Sequence, residues 1–499
     1  MLAEVGVANF KPFGSRQVAP LAPITLVYGP NSGGKSSLIQ ALLLAKQSLE
    51  FWRQDGVSLI PRGENIDLGN VQSIVHRHEL ERSIGLTFAF ISRKGCPHYP
   101  CGFHDPPSER RLEVGLEFTT MTGVSGEPSK VASLTQMTFR SDSEPALAVG
   151  LRRPQSTPEV PVASRTVREP TSTLVAEDEG TIAALAHLLL EIDSKRRRAS
   201  RGTTLAQAEA AVRGFRFQVR IERGMSEGHL TLLPVGEPLS EWEAHRPVVS
   251  AETTKDFLFQ DASYTLNDIS NQLAARLHKV LHLGPLRSAP SRYYVAHEWG
   301  STVLGTRGEN SAATLMQHEA TLVPAINLWF ERFDIPYALS LSRYDLDLSG
   351  ALVSLTLTDK GNGVSVGFAD VGFGIAQVLP VLLSGLLSDN SILCVEEPEA
   401  HLHPGLQAHL GDFLIATACL SRGGGDDAPA GNQWIVETHS EALVRRLQRR
   451  IREGAIQPHD VSVLYVRPEG EKGSLIRQLK LDAEGRFETS GPDGFFEGV

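Results

Sequence analysis

The stretch ILCVEEPEAHLHP, residues 392–404, decides the fold. Four apolar residues run into two adjacent carboxylates, Glu396 and Glu397, and two histidines, His401 and His403, follow closely. A bound metal could use such a set. An apolar strand ending in two carboxylates also suits a bound nucleotide, giving it one group for a metal shell and one general base. His401 and His403 stand at i and i+2, positions that diverge on a helix, and Pro404 suits the first turn of the helix that follows. The strand reading is preferred, and it requires a phosphate-binding loop elsewhere in the chain.

GPNSGGKSS, residues 29–37, supplies that loop. Gly29, Pro30, Asn31, Ser32, Gly33, Gly34, Lys35, Ser36 and Ser37 fit the pattern G-x-x-x-x-G-K-[ST]. The match lies between a β-rich run, ITLVYG (24–29), and a segment of helical apolar spacing, SSLIQALLLAKQSL (36–49). Its glycines let backbone N–H groups close around phosphates at the positive end of a helix. Lys35 would neutralise the β and γ phosphates of ATP, and Ser36 would ligate Mg²⁺. Glu396 then takes the metal-shell position, where Asp is more usual, and Glu397 the general-base position.

Two further stretches fit the same chemistry. In WIVETHSEAL (434–443) a second apolar strand ends in Glu437, Thr438, His439 and Ser440. A histidine just past a strand can contact a γ-phosphate and sense its loss. In DVGFGIAQVLPVL (370–382), Gly372 and Gly374 open an apolar helix whose free N–H groups face outward. The chain already has its own phosphate loop. A second anion-binding helix end, Gly372 to Gln377, therefore suits ATP held by another subunit.

The composition bounds the rest. The chain has 499 residues, 41% hydrophobic and 21% charged, which suits roughly two to four structural units of a soluble protein. A net charge of −10 leaves any nucleic-acid contact to local basic runs, of which Lys195–Arg201 and Arg445–Arg452 are the candidates. In the second, Arg445, Arg449 and Arg452 share a face opposite Leu443, Leu447 and Ile451; the plain alternative for both runs is a solvated face. Four cysteines are too few for a disulfide framework, no leader opens the chain and no apolar run reaches membrane length, so a cytoplasmic protein is expected. Cys96, His98, Cys101 and His104 could hold zinc, although their spacing is not that of a usual knuckle. Asp345 and Asp347 form a D-x-D pair on one strand face, read as an exposed face rather than a nuclease site. Residues 1–80 and 281–499 are expected to form the two parts of one domain. A β-rich and helical insertion spans 81–280, with a long loop near 141–180.

The order of phosphate loop, glycine-rich helix start, carboxylate strand and histidine strand resembles an ABC-type ATPase head. NFKPFG (9–14), LGPLRSAPSRYY (283–294), ETHSEALVRRLQRRI (437–451) and PDGFF (492–496) narrow the likeness to AAA-type ATPases related to the overcoming-lysogenisation-defect family, which recur in anti-phage defence. The resemblance is specific over 1–80 and 280–499 and weak over 90–270. It implies an α/β P-loop NTPase of ABC-ATPase-head type, with a mixed central sheet and flanking helices, plus an antiparallel β subdomain and a helical inserted region. It implies ATP and Mg²⁺ as ligands and a homodimer closed on two ATP molecules, with Gly372–Gln377 of one chain facing Lys35 of the other. It suggests Lys11 or Phe13 near the nucleotide and Gln72 as a coupling glutamine. A separate effector, a nuclease or toxin, is the expected partner, because the 60 residues after His439 are too few for the C-terminal nuclease of that family. An SMC-like ATPase of DNA repair or chromosome maintenance is the alternative; the lack of a long heptad stretch counts against it.

Overall fold

The computed structural model describes residues 1–50, 58–92, 110–122, 128–141, 147–150, 171–175, 182–183, 186, 204–212, 216–223, 228–234, 269–296, 304–346, 350–418, 431–470 and 473–489. The chain divides into two compact units. One comprises Met1, 18–43 and 279–499, and the other comprises 2–17 and 44–278.

The first unit is built on a six-stranded sheet. Its order is Val280–Leu283, Ile392–Glu396, Gln433–Glu437, Ile24–Tyr28, Val461–Pro468 and Ser474–Leu479. Neighbours pair in parallel up to Val461–Pro468, and only the last pair is antiparallel. Every residue of Ile392–Glu396 and of Gln433–Glu437 is buried. This explains why these strands read as continuous apolar runs: a parallel sheet is covered on both faces. The carboxylate strand does not touch the phosphate-loop strand, because the histidine strand lies between them.

Helices after the strands position the site. Lys35–Glu50 follows the phosphate loop, Pro404–Thr417 the carboxylate strand and Glu441–Arg452 the histidine strand. Pro404 opens its helix as the sequence suggests, with His403 as the cap: the Gly405 N–H donates to its Nδ1 at 3.3 Å. Ser440 caps the third helix by accepting the Leu443 N–H at 3.1 Å. Leu443, Leu447 and Ile451 form its buried stripe. Beneath these helices, Trp329, Phe413 and Trp434 pack edge to face, with centroids 4.9 and 6.0 Å apart. A small antiparallel sheet joins Tyr294–Ala296, Gly350–Asp359, Tyr337–Leu346 and Ser365–Gly367.

The second unit is the antiparallel β subdomain. Leu2–Ala8 pairs with Ile84–Ser92, which continues through Arg110–Thr122 and Pro128–Ser141 to Leu147–Gly150. A separate sheet holds Thr171–Val175, Arg216–Arg223 and Gly228–Pro234. Buried Gln47 fixes one loop: its Nε2 donates to the carbonyls of Ile60 (2.7 Å) and Ile66 (3.2 Å), and its Oε1 accepts from the N–H groups of Asn65 and Ile66.

Candidate nucleotide site

The phosphate loop keeps a shape that only its glycines allow. Gly29 has φ +149°, and a Cβ there would lie 2.1 Å from the carbonyl oxygen of Val466. Gly34 has φ +102°, a region that side chains rarely adopt. Lys35 is 4% exposed, and its ammonium donates to the carbonyl of Pro30 at 3.0 Å, so it crosses the mouth of the loop.

Three strand ends meet beside it. Glu396 stands opposite Glu437 in register, and Glu437 stands opposite Val27, two residues before Gly29. The two carboxylates are engaged on different sides. Oε1 of Glu396 lies 2.7 Å from Nε2 of His282, on the strand remote from the phosphate loop. Oε1 of Glu437 lies 3.8 Å from Nζ of Lys35, and the other carboxylate oxygen is buried without a hydrogen-bond partner. Burial pushes the Glu437 carboxyl up to about 7; the Ser36 hydroxyl and Lys35 oppose that rise, and Glu396 adds to it.

Glu397 emerges just past the strand with φ +45°, in the left-handed region. Two fixed contacts hold it there. Its N–H donates to the Glu437 carbonyl at 2.8 Å, and Arg287 donates to the carbonyls of Glu396 (2.7 Å) and Glu397 (2.8 Å). Arg287 is 4% exposed; burial brings its guanidinium down to about 10, against the attraction of Glu399, Glu397 and Glu396. The Glu397 side chain itself is half-buried and open to solvent. Glu399 accepts the His439 N–H at 2.6 Å, and its carboxyl is raised by burial. His439 is exposed; desolvation and then the Lys35 ammonium hold its imidazole below the usual range, with Glu397 opposing.

Lys35, Ser36, Glu396, Glu397, Glu437 and His439 thus converge at one end of the sheet. His282, Arg287 and Glu399 are functional candidates that the sequence reading left without a role. Arg287 lies inside the quoted stretch LGPLRSAPSRYY, but its partners are 109 and 110 positions away. Gly372 caps the helix Phe373–Leu387 and is exposed, with no side chain capping that end. Gly374 passes close to the chain, since a Cβ there would lie 2.8 Å from the His401 carbonyl oxygen. Gln377 is only 2% exposed, and its Nε2 has no hydrogen-bond partner. Gln72 is exposed on the short helix Val71–Ile74 of the other unit, which also contains Lys11 and buried Phe13. Asp345 lies on Tyr337–Leu346 opposite Ala351.

Four of the five arginines of Glu441–Arg452 share three carboxylates, Glu441, Asp412 and Glu453. Arg445 pairs with Glu441, Arg449 with Glu453, and Arg446 and Arg450 with Asp412, while Arg452 donates to the Glu484 carbonyl. Cys96, His98, Cys101, His104, Lys195–Arg201, Asp347 and PDGFF (492–496) lie outside the described residues.

The oxygen donors present fit a hard divalent cation. Among the described residues no three His, Cys, Asp or Glu side chains converge as a ready-made metal cage. Mg²⁺ beside a phosphate loop does not need one, because a hydroxyl, a carboxylate, phosphate oxygens and water complete its shell. The Ser36 hydroxyl and the unpartnered oxygen of Glu437 are the donors that such an ion would satisfy.

The sheet order, the phosphate loop entering Lys35–Glu50, and the carboxylate strand two places away define an α/β P-loop NTPase fold of ABC-ATPase-head type, carrying an antiparallel β subdomain. A family model described as "AAA domain, putative AbiEii toxin, Type IV TA system" matches residues 213–445, which hold the carboxylate and histidine strands but not the phosphate loop. No curated protein matches the chain. Among solved structures, the SMC head domain from Thermotoga maritima is similar at 10% identity and TM-score 0.36, covering 96% of this chain and 99% of that one. An SmcHead bound to the C-winged helix domain of ScpA matches at 9% identity and TM-score 0.40, covering 96% and 98%. A Pyrococcus furiosus Smc head bound to the C-terminal domain of ScpA matches at 11% and 0.37, covering 96% of each chain. No described helix is long and apolar enough to cross a membrane.

Proposed function

We propose that this chain is a Mg²⁺-dependent ATP hydrolase whose two copies close on two ATP molecules. The observation that carries the reading is Glu397: a half-buried carboxylate in a left-handed turn just past its strand, held by Arg287 and the Glu437 carbonyl, that acts with Lys35 on the His439 imidazole. On binding, Lys35 exchanges the Pro30 carbonyl and the Glu437 carboxylate for phosphate oxygens, and the loop N–H groups take up the remainder. Ser36 and a strand-end carboxylate, Glu396 in the sequence reading, would hold Mg²⁺, which would supply charge neutralisation on the phosphates. Glu397 accepts a proton from water as the water oxygen bonds to the γ-phosphorus and the bond to the bridging oxygen breaks. ADP and phosphate are the products. His439 contacts the γ-phosphate and registers its departure.

The exposed, uncapped helix start at Gly372 supports a role in closing on the partner subunit's ATP. By the family resemblance, the dimer serves as sensor and motor for a separate nuclease or toxin effector in cytoplasmic anti-phage defence. The arginines of Arg445–Arg452 outnumber the carboxylates that pair with them, but the proposal does not depend on a nucleic-acid contact there. The test is phosphate release and molecular mass with ATP, for wild type and Glu397→Gln. Wild type should hydrolyse ATP, and Glu397→Gln should accumulate as an ATP-bound dimer. A Glu397→Gln chain that hydrolyses ATP like wild type, or stays monomeric with ATP bound, contradicts the proposal.

A further inference from the structure

The mechanism above uses one carboxylate of the sheet as metal ligand and one as base, and leaves a third without a task. Glu437 closes the strand that lies between the carboxylate strand and the phosphate-loop strand. It is 5% exposed, and one of its carboxylate oxygens is buried without a hydrogen-bond partner. A buried carboxylate oxygen left unmatched loses its hydration with nothing in return, so such an atom calls for a ligand. Its surroundings say which. Lys35 stands 3.8 Å from its other oxygen, and the Ser36 hydroxyl also favours the ionised carboxylate. These are the two phosphate-loop side chains that take phosphate and metal.

Glu396, by contrast, is tied away from the loop. Its Oε1 is held by His282 at 2.7 Å, and His282 sits on the far neighbour strand, opposite Cys394. Glu437 is one strand nearer to Ser36, because its neighbour in register is Val27 of the phosphate-loop strand. The strand positions therefore separate two carboxylates that spacing along the chain cannot rank.

We infer that Glu437 is a metal-shell residue of this site: with Ser36 it holds the divalent cation of a bound Mg-nucleotide, and Glu396 supports that shell from behind. The inference deepens the ATPase reading and rests on it. It also explains the contact with Lys35. Without nucleotide, the carboxylate balances an ammonium that would otherwise be buried and unpaired; with nucleotide, the cation takes the carboxylate and the phosphates take Lys35.

The experiment measures affinity for a fluorescent ADP analogue in excess EDTA and in excess Mg²⁺, so no turnover is needed. Wild type should bind more tightly with Mg²⁺. In Glu437→Gln that gain should shrink by about 10–100-fold while binding in EDTA is retained or improved. Glu437→Asp keeps a carboxylate on a shorter arm and should recover part of the gain; it decides the matter if the glutamine variant does not fold. The same Mg²⁺ gain in wild type and both variants overturns the inference, and tighter binding by Glu437→Gln under both conditions reduces Glu437 to an electrostatic placeholder. A wild-type chain that gains nothing from Mg²⁺ overturns the ATPase reading, and this inference with it.

Discussion

Arg287, 4% exposed, donates a 2.8 Å hydrogen bond to the main-chain carbonyl of Glu397, whose own φ is +45°. A left-handed non-glycine residue costs about 1–3 kcal/mol and persists only where its surroundings hold it. Here a buried guanidinium does so, gripping two successive carbonyls and leaving the carboxylate free. Replacing Arg287 with Lys keeps the charge and loses the two-pronged grip. The expected result is a fall in ATP turnover of roughly tenfold or more, about 1.4 kcal/mol in barrier, with nucleotide affinity little changed. Comparing kcat with the affinity for ADP checks it, and equal losses in both would make Arg287 a general stabiliser instead.

Lys35→Ala removes a buried cation that faces Glu437 at 3.8 Å. Nucleotide affinity should fall about 10- to 150-fold, the equivalent of roughly 1.5–3 kcal/mol for hydrogen bonds to a charged group. The nucleotide-free chain should also melt earlier, since Glu437 is left buried without its cation. Titration with a fluorescent nucleotide and a thermal melt read the two effects separately.

Gly29→Ala tests the loop's shape without touching its charges. The added Cβ would meet the Val466 carbonyl oxygen at 2.1 Å in a backbone at φ +149°. Strain and clash together should cost at least about 3 kcal/mol, enough to abolish nucleotide binding and lower Tm. Binding like wild type would mean that the loop adopts another conformation.

A pH-dependent effect is expected far from the nucleotide. Asp412 ties Pro404–Thr417 to Glu441–Arg452 through Arg446 (3.1 Å) and Arg450 (2.7 Å). Burial alone would raise its carboxyl, but its hydrogen bonds from Arg450 and Arg446 hold it below the usual 3.8. A depressed carboxylate stabilises the fold above its unfolded pKa, and that contribution fades as pH falls through the folded value. Asp412→Asn should therefore cost about 1–3 kcal/mol at pH 7. The gap to wild type should narrow as the pH drops through 3.8 and below. Paired denaturant melts across that range check the sign; a gap that widens in acid would contradict it.

Much of this site is legible in the sequence because its parts are local. The phosphate loop is nine consecutive residues, Pro404 sets a helix start by its own ring, and the stripe Leu443, Leu447 and Ile451 follows helical spacing. What depends on strand order is not legible. That Glu437 rather than Glu396 adjoins the phosphate-loop strand follows from parallel pairings between Glu396 and Glu437, 41 positions apart, and between Glu437 and Val27, 410 positions apart. His282 and Arg287 reach Glu396 and Glu397 across 114 and 110 positions, and no local pattern marks them. The arginine run shows the same limit. Its spacing gives a solvated face or a phosphate-binding one, and it does not show that Asp412, 34 positions before Arg446 and on another helix, pairs with both Arg446 and Arg450.

The most direct measurement is Mg²⁺-dependent phosphate release from ATP by wild type beside Glu397→Gln, with bound nucleotide quantified in both. General-base removal predicts a fall in turnover of about 10²- to 10⁴-fold in the variant, with ATP still bound. Equal release by the two proteins, or a wild type that binds ATP and never cleaves it, would contradict the assignment of this strand end as a hydrolytic centre.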